Sequence, residues 1–269
     1  GPSHCDGDRC TSDEGFQSCI VHEQQNFLVS DYLYTVSERG VGDEDGKLTA
    51  VCQEGDKILG GGGRCFARAG ELETAIPYNE YQGEKNVFLT QCSSGSRGEL
   101  RSTALCLKEE YPGDHLYLRS KKGRGDSKGR LTAVCKDGDQ ILGGGGRCFA
   151  RAGELRTAIP YYEYHGEKNV FLTQCSAGSR GEIRSTALCL RSDYEGDDLY
   201  HRSKRDVASD QGITTACDDG DQILGGGGRC FGGTGEIQVA IPHHEVNDQD
   251  NAFLRSEEHT SELQSPLCI

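Results

Sequence analysis

Apolar and polar residues alternate in short bursts along this chain, and no stretch sustains the three-to-four spacing of an amphipathic helix. Leu131-Thr132-Ala133-Val134-Cys135 has the β-branched, alternating character of a short strand. Asp137-Gly138-Asp139 follows as a turn, its glycine free to take positive φ. Ile141-Leu142 resumes a strand that enters four glycines, residues 143–146, which predict a bulge or a close approach of another backbone. Thr157-Ala158-Ile159-Pro160 predicts an edge strand stopped by its proline. Asn169-Val170-Phe171-Leu172-Thr173-Gln174-Cys175 and Ile183-Arg184-Ser185-Thr186-Ala187-Leu188-Cys189 predict two further strands. The loop Ser176-Ala177-Gly178-Ser179-Arg180-Gly181 is expected to join these two as a hairpin. The pattern predicts an all-β module of about five short strands.

That module recurs. Residues 48–107 and 131–190 align without a gap at an offset of 83 and differ at eight of 60 positions. A third copy begins near Ile213, and Asp31-Tyr32-Leu33-Tyr34 recurs as Asp114-His115-Leu116-Tyr117 and Asp197-Asp198-Leu199-Tyr200. The expected organisation is a tandem array of disulfide-stapled β modules of about 83 residues. Residues 1–30 are read as the C-terminal part of a copy, 31–107 as the first full copy, 114–190 as the second and 197–254 as a truncated third. Cys5 and Cys19 share the 14-residue spacing of Cys92 and Cys106, whereas Cys10 has no counterpart and is expected to be a free thiol or a bond to another chain. Residues 255–269 break the pattern where Thr-Gln-Cys is expected. They resemble the in-frame translation of a sequencing adapter, so Cys268 is left out of the expected disulfide framework.

Composition narrows the class. An apolar fraction of 34% is too low for one large core, and thin modules need staples. Fourteen cysteines supply them, and without a Cys-x-x-Cys pair they favour disulfides in an oxidising compartment over zinc. Four cysteines per copy allow three pairings. A nested one is favoured: Cys52 with Cys106 and Cys65 with Cys92, then Cys135 with Cys189 and Cys148 with Cys175. The net charge of −14 opposes nucleic-acid binding, and no run reaches the length of a membrane span. Cys135, Leu142-Gly143-Gly144-Gly145, Pro160 and Ala187-Leu188-Cys189 together resemble a loose class of small extracellular β modules. The resemblance implies a secreted, extracellular setting and no activity; where that class carries a Trp before the closing strand, this chain has Val170-Phe171.

Catalytic chemistry finds no foothold, because no His is shared by the copies and the cysteines are committed to bridges. Arg124, Gly125 and Asp126 form a cell-binding tripeptide in an inter-copy loop, a candidate contact for a cell-surface receptor. Asp56, Asp139 and Asp221 sit in recurring Gly-Asp turns, read first as ordinary solvated turns and in the alternative as candidate Ca²⁺ ligands; no cofactor is otherwise expected. Tyr78, Tyr81, Tyr161 and Tyr164 beside carboxylates are candidate platforms for glycans, although inter-copy packing accounts for them as well. The expected function is a non-enzymatic extracellular structural protein of a fibre, coat or matrix. The alternative is a secreted lectin or adhesion protein. Complementary partial copies at the two ends further suggest head-to-tail self-association by strand addition, or ring closure within one chain.

Overall fold

The computed structural model describes residues 29–196 continuously, most of 199–230, residue 237, and the strand segments 4–6, 9–12, 15–17, 239–246, 249–256, 262–264 and 267–268. The side chains of residues 1–28, Cys10 included, lie outside the described residues. The chain is all-β.

Each full copy contributes six strands. In the first they are an opening strand Leu33–Val41, a Thr-Ala strand Lys47–Val51, a glycine strand Lys57–Cys65, a proline strand Leu72–Tyr81, a phenylalanine strand Glu84–Cys92 and a closing strand Glu99–Leu107. The second copy repeats them as Leu116–Gly123, Arg130–Val134, Gln140–Cys148, Leu155–Tyr164, Glu167–Cys175 and Ile183–Leu190. The opening strand is the one beyond the expected five. Its second half, Arg119-Ser120-Lys121-Lys122, is polar on both faces because it forms a sheet edge, so alternation there is lost.

The six strands divide between two sheets. Opening, closing and glycine strands pair with one another, while the proline, phenylalanine and Thr-Ala strands pair in a second sheet. The expected hairpin across residues 176–181 is therefore corrected. The phenylalanine strand pairs with the proline strand, and the loop after Cys175 crosses to the other sheet. The hairpin that does form turns through Gln82-Gly83, with φ of 50° and 88°, and through His165-Gly166. Two consecutive positive φ angles match the right-handed twist of the flanking strands. The proline strand is corrected too: it continues through Pro160 to Tyr164. Its neighbour on the far side touches it only at Thr157 and Ala158, so Pro160 needs no donor on that edge.

The two half-sheets of a copy pack face to face. Bonds Cys52–Cys106 and Cys65–Cys92 in the first copy, and Cys135–Cys189 and Cys148–Cys175 in the second, staple them in a nested pattern. Cys217 in the third copy is disulfide-bonded as well. Between the half-sheets, the Thr90 hydroxyl donates to Ser102 Oγ at 3.0 Å, and Ser102 donates to the Phe88 carbonyl at 2.8 Å. Thr173, Ser185 and Phe171 repeat the chain, so these buried hydroxyls are satisfied.

Each half-sheet then continues into the next copy. The glycine strand of the second copy pairs with the proline strand of the first through Gly146–Ala75 and Arg147–Thr74. Gly228 and Arg229 of the third pair with the proline strand of the second, and Val239 and Ala240 of the third pair with Arg64 and Gly63 of the first. Three six-stranded sheets result, each shared by two copies, and the circuit closes within the chain. The glycines are required at this junction. A Cβ on Gly145 would lie 2.4 Å from the Ala75 carbonyl oxygen. At Gly144, φ is 153° and a Cβ would lie 1.9 Å from the Thr186 oxygen, beside the ring of Phe171. Both the bulge and the close approach are present, with the register slipping between Ile141 and Gly143. Above the glycines, Leu59, Leu142 and Leu224 of the three copies meet in one buried cluster with Leu105, Leu188 and Leu190. Below them, the Leu72 N–H donates to the Ile237 carbonyl and the Ile237 N–H to the Leu155 carbonyl, both at 2.7 Å.

In the third copy the closing strand is replaced by the final segment of the chain. Glu262–Gln264 pairs with Gly228–Cys230 and Lys204–Asp206, and the Leu267–Cys268 backbone sets Cys268 opposite Tyr200 and Ile223. Cys106 holds the same register against Tyr34 and Ile58.

Candidate functional site

The turn that carries Asp139 is held down by a tyrosine from the opening strand. Tyr117 donates its hydroxyl hydrogen to Asp139 Oδ2 at 2.6 Å, and the Ser192 N–H donates to Oδ1 at 3.0 Å. The same tyrosine oxygen accepts the Lys136 N–H at 3.1 Å. Tyr34 with Asp56 and Glu109 N–H, and Tyr200 with Asp221, repeat the latch. Asp56 and Asp139 are 8% and 6% exposed. The Tyr117 bond holds the Asp139 carboxyl below the usual carboxylate range. Burial and then the bond to Asp56 push the Tyr34 phenol up to about 12. The three candidate Ca²⁺ ligands therefore each serve as the acceptor of a latch in a separate copy. The sequence signal for this pairing was the Asp-x-Leu-Tyr segment, whose tyrosine precedes the Gly-Asp turn by 22, 22 and 21 residues.

The tyrosines after the proline lie at the seams between copies. Tyr78 and Tyr81 stack with ring centroids 5.3 Å apart, as do Tyr161 and Tyr164. Arg147 of the second copy donates to the Tyr78 hydroxyl at 3.0 Å, and Arg229 of the third donates to Tyr161 at 3.1 Å. Arg147 also lies 4.4 Å from the centre of the Phe149 ring, and Arg184 lies 5.1 Å from that of Tyr78. Arg147 and Arg184 stand directly opposite in register, a like-charge pair that would be unfavourable without those aromatic faces. Sequence reading did not single out these arginines, because only the folded seam brings them to the tyrosines. A cleft of about 810 Å³ opens beside this seam, lined by Lys47, Glu73, Gln91, Arg147, Phe149 and Arg180. Burial, and next the charge of Glu154, push the Glu73 carboxyl up.

The Arg124-Gly125-Asp126 segment forms a closed loop. Asp126 Oδ1 accepts the N–H groups of Lys128 at 2.9 Å and Arg130 at 3.0 Å, while Oδ2 accepts from Arg130 Nε at 2.7 Å. Asp43 makes the same two backbone bonds in the preceding linker, to Asp45 and Lys47. A Cβ on Gly125 would lie 2.7 Å from Gly129. The Gly-Asp pair is thus the closure of the loop in both copies; Arg124 and Asp126 are both exposed, and the Asp126 carboxylate is engaged by the loop and by Arg130.

Among the described residues no group of three or more His, Cys, Asp or Glu is gathered as for a metal, and no helix is long and apolar enough to cross a membrane. Fold and seams define a class: an all-β, disulfide-stapled chain whose copies share their sheets. No family model and no curated protein matches the sequence.

Proposed function

We propose that the protein is a non-enzymatic, extracellular structural component, a rigid block within a fibre, coat or matrix. The observation that carries this reading is the double locking of the fold. Every six-stranded sheet crosses a copy boundary, and nested disulfides tie the two halves of each full copy. Such a block resists shear because no copy can move without breaking a neighbour's sheet. Disulfides support the extracellular setting. The tyrosines that would serve a lectin have two of their hydroxyls engaged by Arg147 and Arg229. Fractionation of the source tissue tests the proposal. The protein should stay in the detergent-insoluble extracellular fraction and leave it on reduction. Saturable binding on a glycan array, with or without Ca²⁺, would replace this reading with the lectin.

A further inference from the structure

The two full copies differ at eight of 60 positions over residues 48–107 and 131–190, yet at seven of 12 positions where the opening strand runs into its loop, residues 36–47 and 119–130. The backbone there is the same. Both segments pair with the closing strand in equivalent register, and both loops close on an aspartate, Asp43 or Asp126. The fold therefore does not require the change. Every difference either keeps the charge or makes it more positive. The first segment carries Glu38, Asp43, Glu44 and Asp45 against Arg39 and Lys47, two cations facing four anions. The second carries Arg119, Lys121, Lys122, Arg124, Lys128 and Arg130 against Asp126, six cations facing one anion. Glu38, Glu44, Lys121, Arg124 and Lys128 are all exposed.

Both strands are also the terminal strands of their sheets. Among the described residues no further strand lies beyond either one, so each edge is a template for an added strand. One molecule thus presents an acidic edge and a basic edge of the same shape on two different sheets.

We propose that these edges dock on each other between molecules. The basic strand Leu116–Gly123 of one copy of the chain adds antiparallel to the acidic strand Leu33–Val41 of a second. Contact between two different faces leaves one of each open at the ends, so the assembly extends into a filament instead of closing as a dimer. The contact supplies the link that a structural block needs, and the inference rests on the structural reading for its purpose. Its test is made in solution and is independent of the tissue fractionation.

Light scattering on the full chain should show mass rising with concentration above the 29.2 kDa single chain at about 20 mM salt. About 0.5 M salt should return the single-chain mass, since the attraction is between exposed charges. The double variant Glu38→Lys with Glu44→Lys, and the triple variant Lys121→Glu, Arg124→Glu and Lys128→Glu, should each stay single-chain at low salt. Mixing the two should restore assembly, because the mixture again offers opposite charges. That rescue separates a docking role from damage to the fold. A wild-type chain that stays single at low salt overturns the proposal, as does assembly that survives either variant set. Retention of a single-chain protein on sulfated dextran, lost in the triple variant, would assign the basic edge to a polyanion instead.

Discussion

Tyr117 and Asp139 show how one recurring pair of side chains ties a turn to a strand. Tyr117→Phe keeps the ring and deletes the donor, leaving a buried carboxylate oxygen short of a partner. The expected loss is about 1–3 kcal/mol in denaturant unfolding, and an unchanged midpoint would contradict it. The latch also sets the limits of pH. Tyr34, raised from about 10 to about 12, stabilises the fold fully below pH 10, and that contribution is lost as pH rises towards 12. Asp139 is shifted the other way, so its contribution is present above the ordinary carboxylate pKa and is lost as pH falls through its depressed value. Alkaline unfolding followed by tyrosinate absorbance should begin above pH 10, and titration of all tyrosines without loss of structure would refute the latch. Glycines divide just as sharply. Gly145→Ala meets backbone of the neighbouring copy at 2.4 Å and should cost about 1–3 kcal/mol or more. Gly143→Ala, whose nearest foreign atom is Gly225 Cα at 3.8 Å, should stay within about 0.5 kcal/mol.

Among the elements, the disulfides bear unequal loads. Cys135–Cys189 closes a separation of 54 residues and Cys148–Cys175 one of 27. Chain entropy assigns them about 4.2 and about 3.5 kcal/mol, so replacing the outer pair by alanines should lower the unfolding midpoint more. The reverse order would show that native-state packing, not loop closure, dominates. Much of this level was legible in the sequence. The Thr-Ala, glycine and phenylalanine strands lie where alternation and β-branched residues place them, and four glycines in a row announced a bulge or a close approach, of which the structure has both. What misled was local. Pro160 read as a stop because its unpaired edge is a property of the neighbouring sheet, and Ser176-Ala177-Gly178 read as a hairpin because adjacency in sequence suggests pairing. The opening strand was hidden by its own charges. The seams were not legible at all, since which edges meet depends on three copies folding together, and so Arg147 and Arg184 went unnoticed.

At the scale of the whole molecule the copies depend on one another. A single copy, residues 114–190, would expose Leu142, Leu188 and Leu190, which the intact chain buries against Leu59, Leu105 and Leu224. It would also leave open one edge of its glycine strand and one of its proline strand. A domain of this size holds only a thin core, so losing that cluster removes a large share of its stabilisation. Its two open edges are, however, mutually complementary: the glycine strand of each copy pairs with the proline strand of another. Three separate copies can therefore close the circuit that one chain closes covalently. Sedimentation equilibrium of this oxidised fragment should find a trimer that unfolds on dilution. Gly145→Ala in the fragment should abolish the trimer, because the clash falls on a neighbour's Ala75 and not within the copy. A folded monomer at micromolar concentration would show that each copy is self-sufficient, and the shared sheets would then be a consequence of tethering instead of its physical reason.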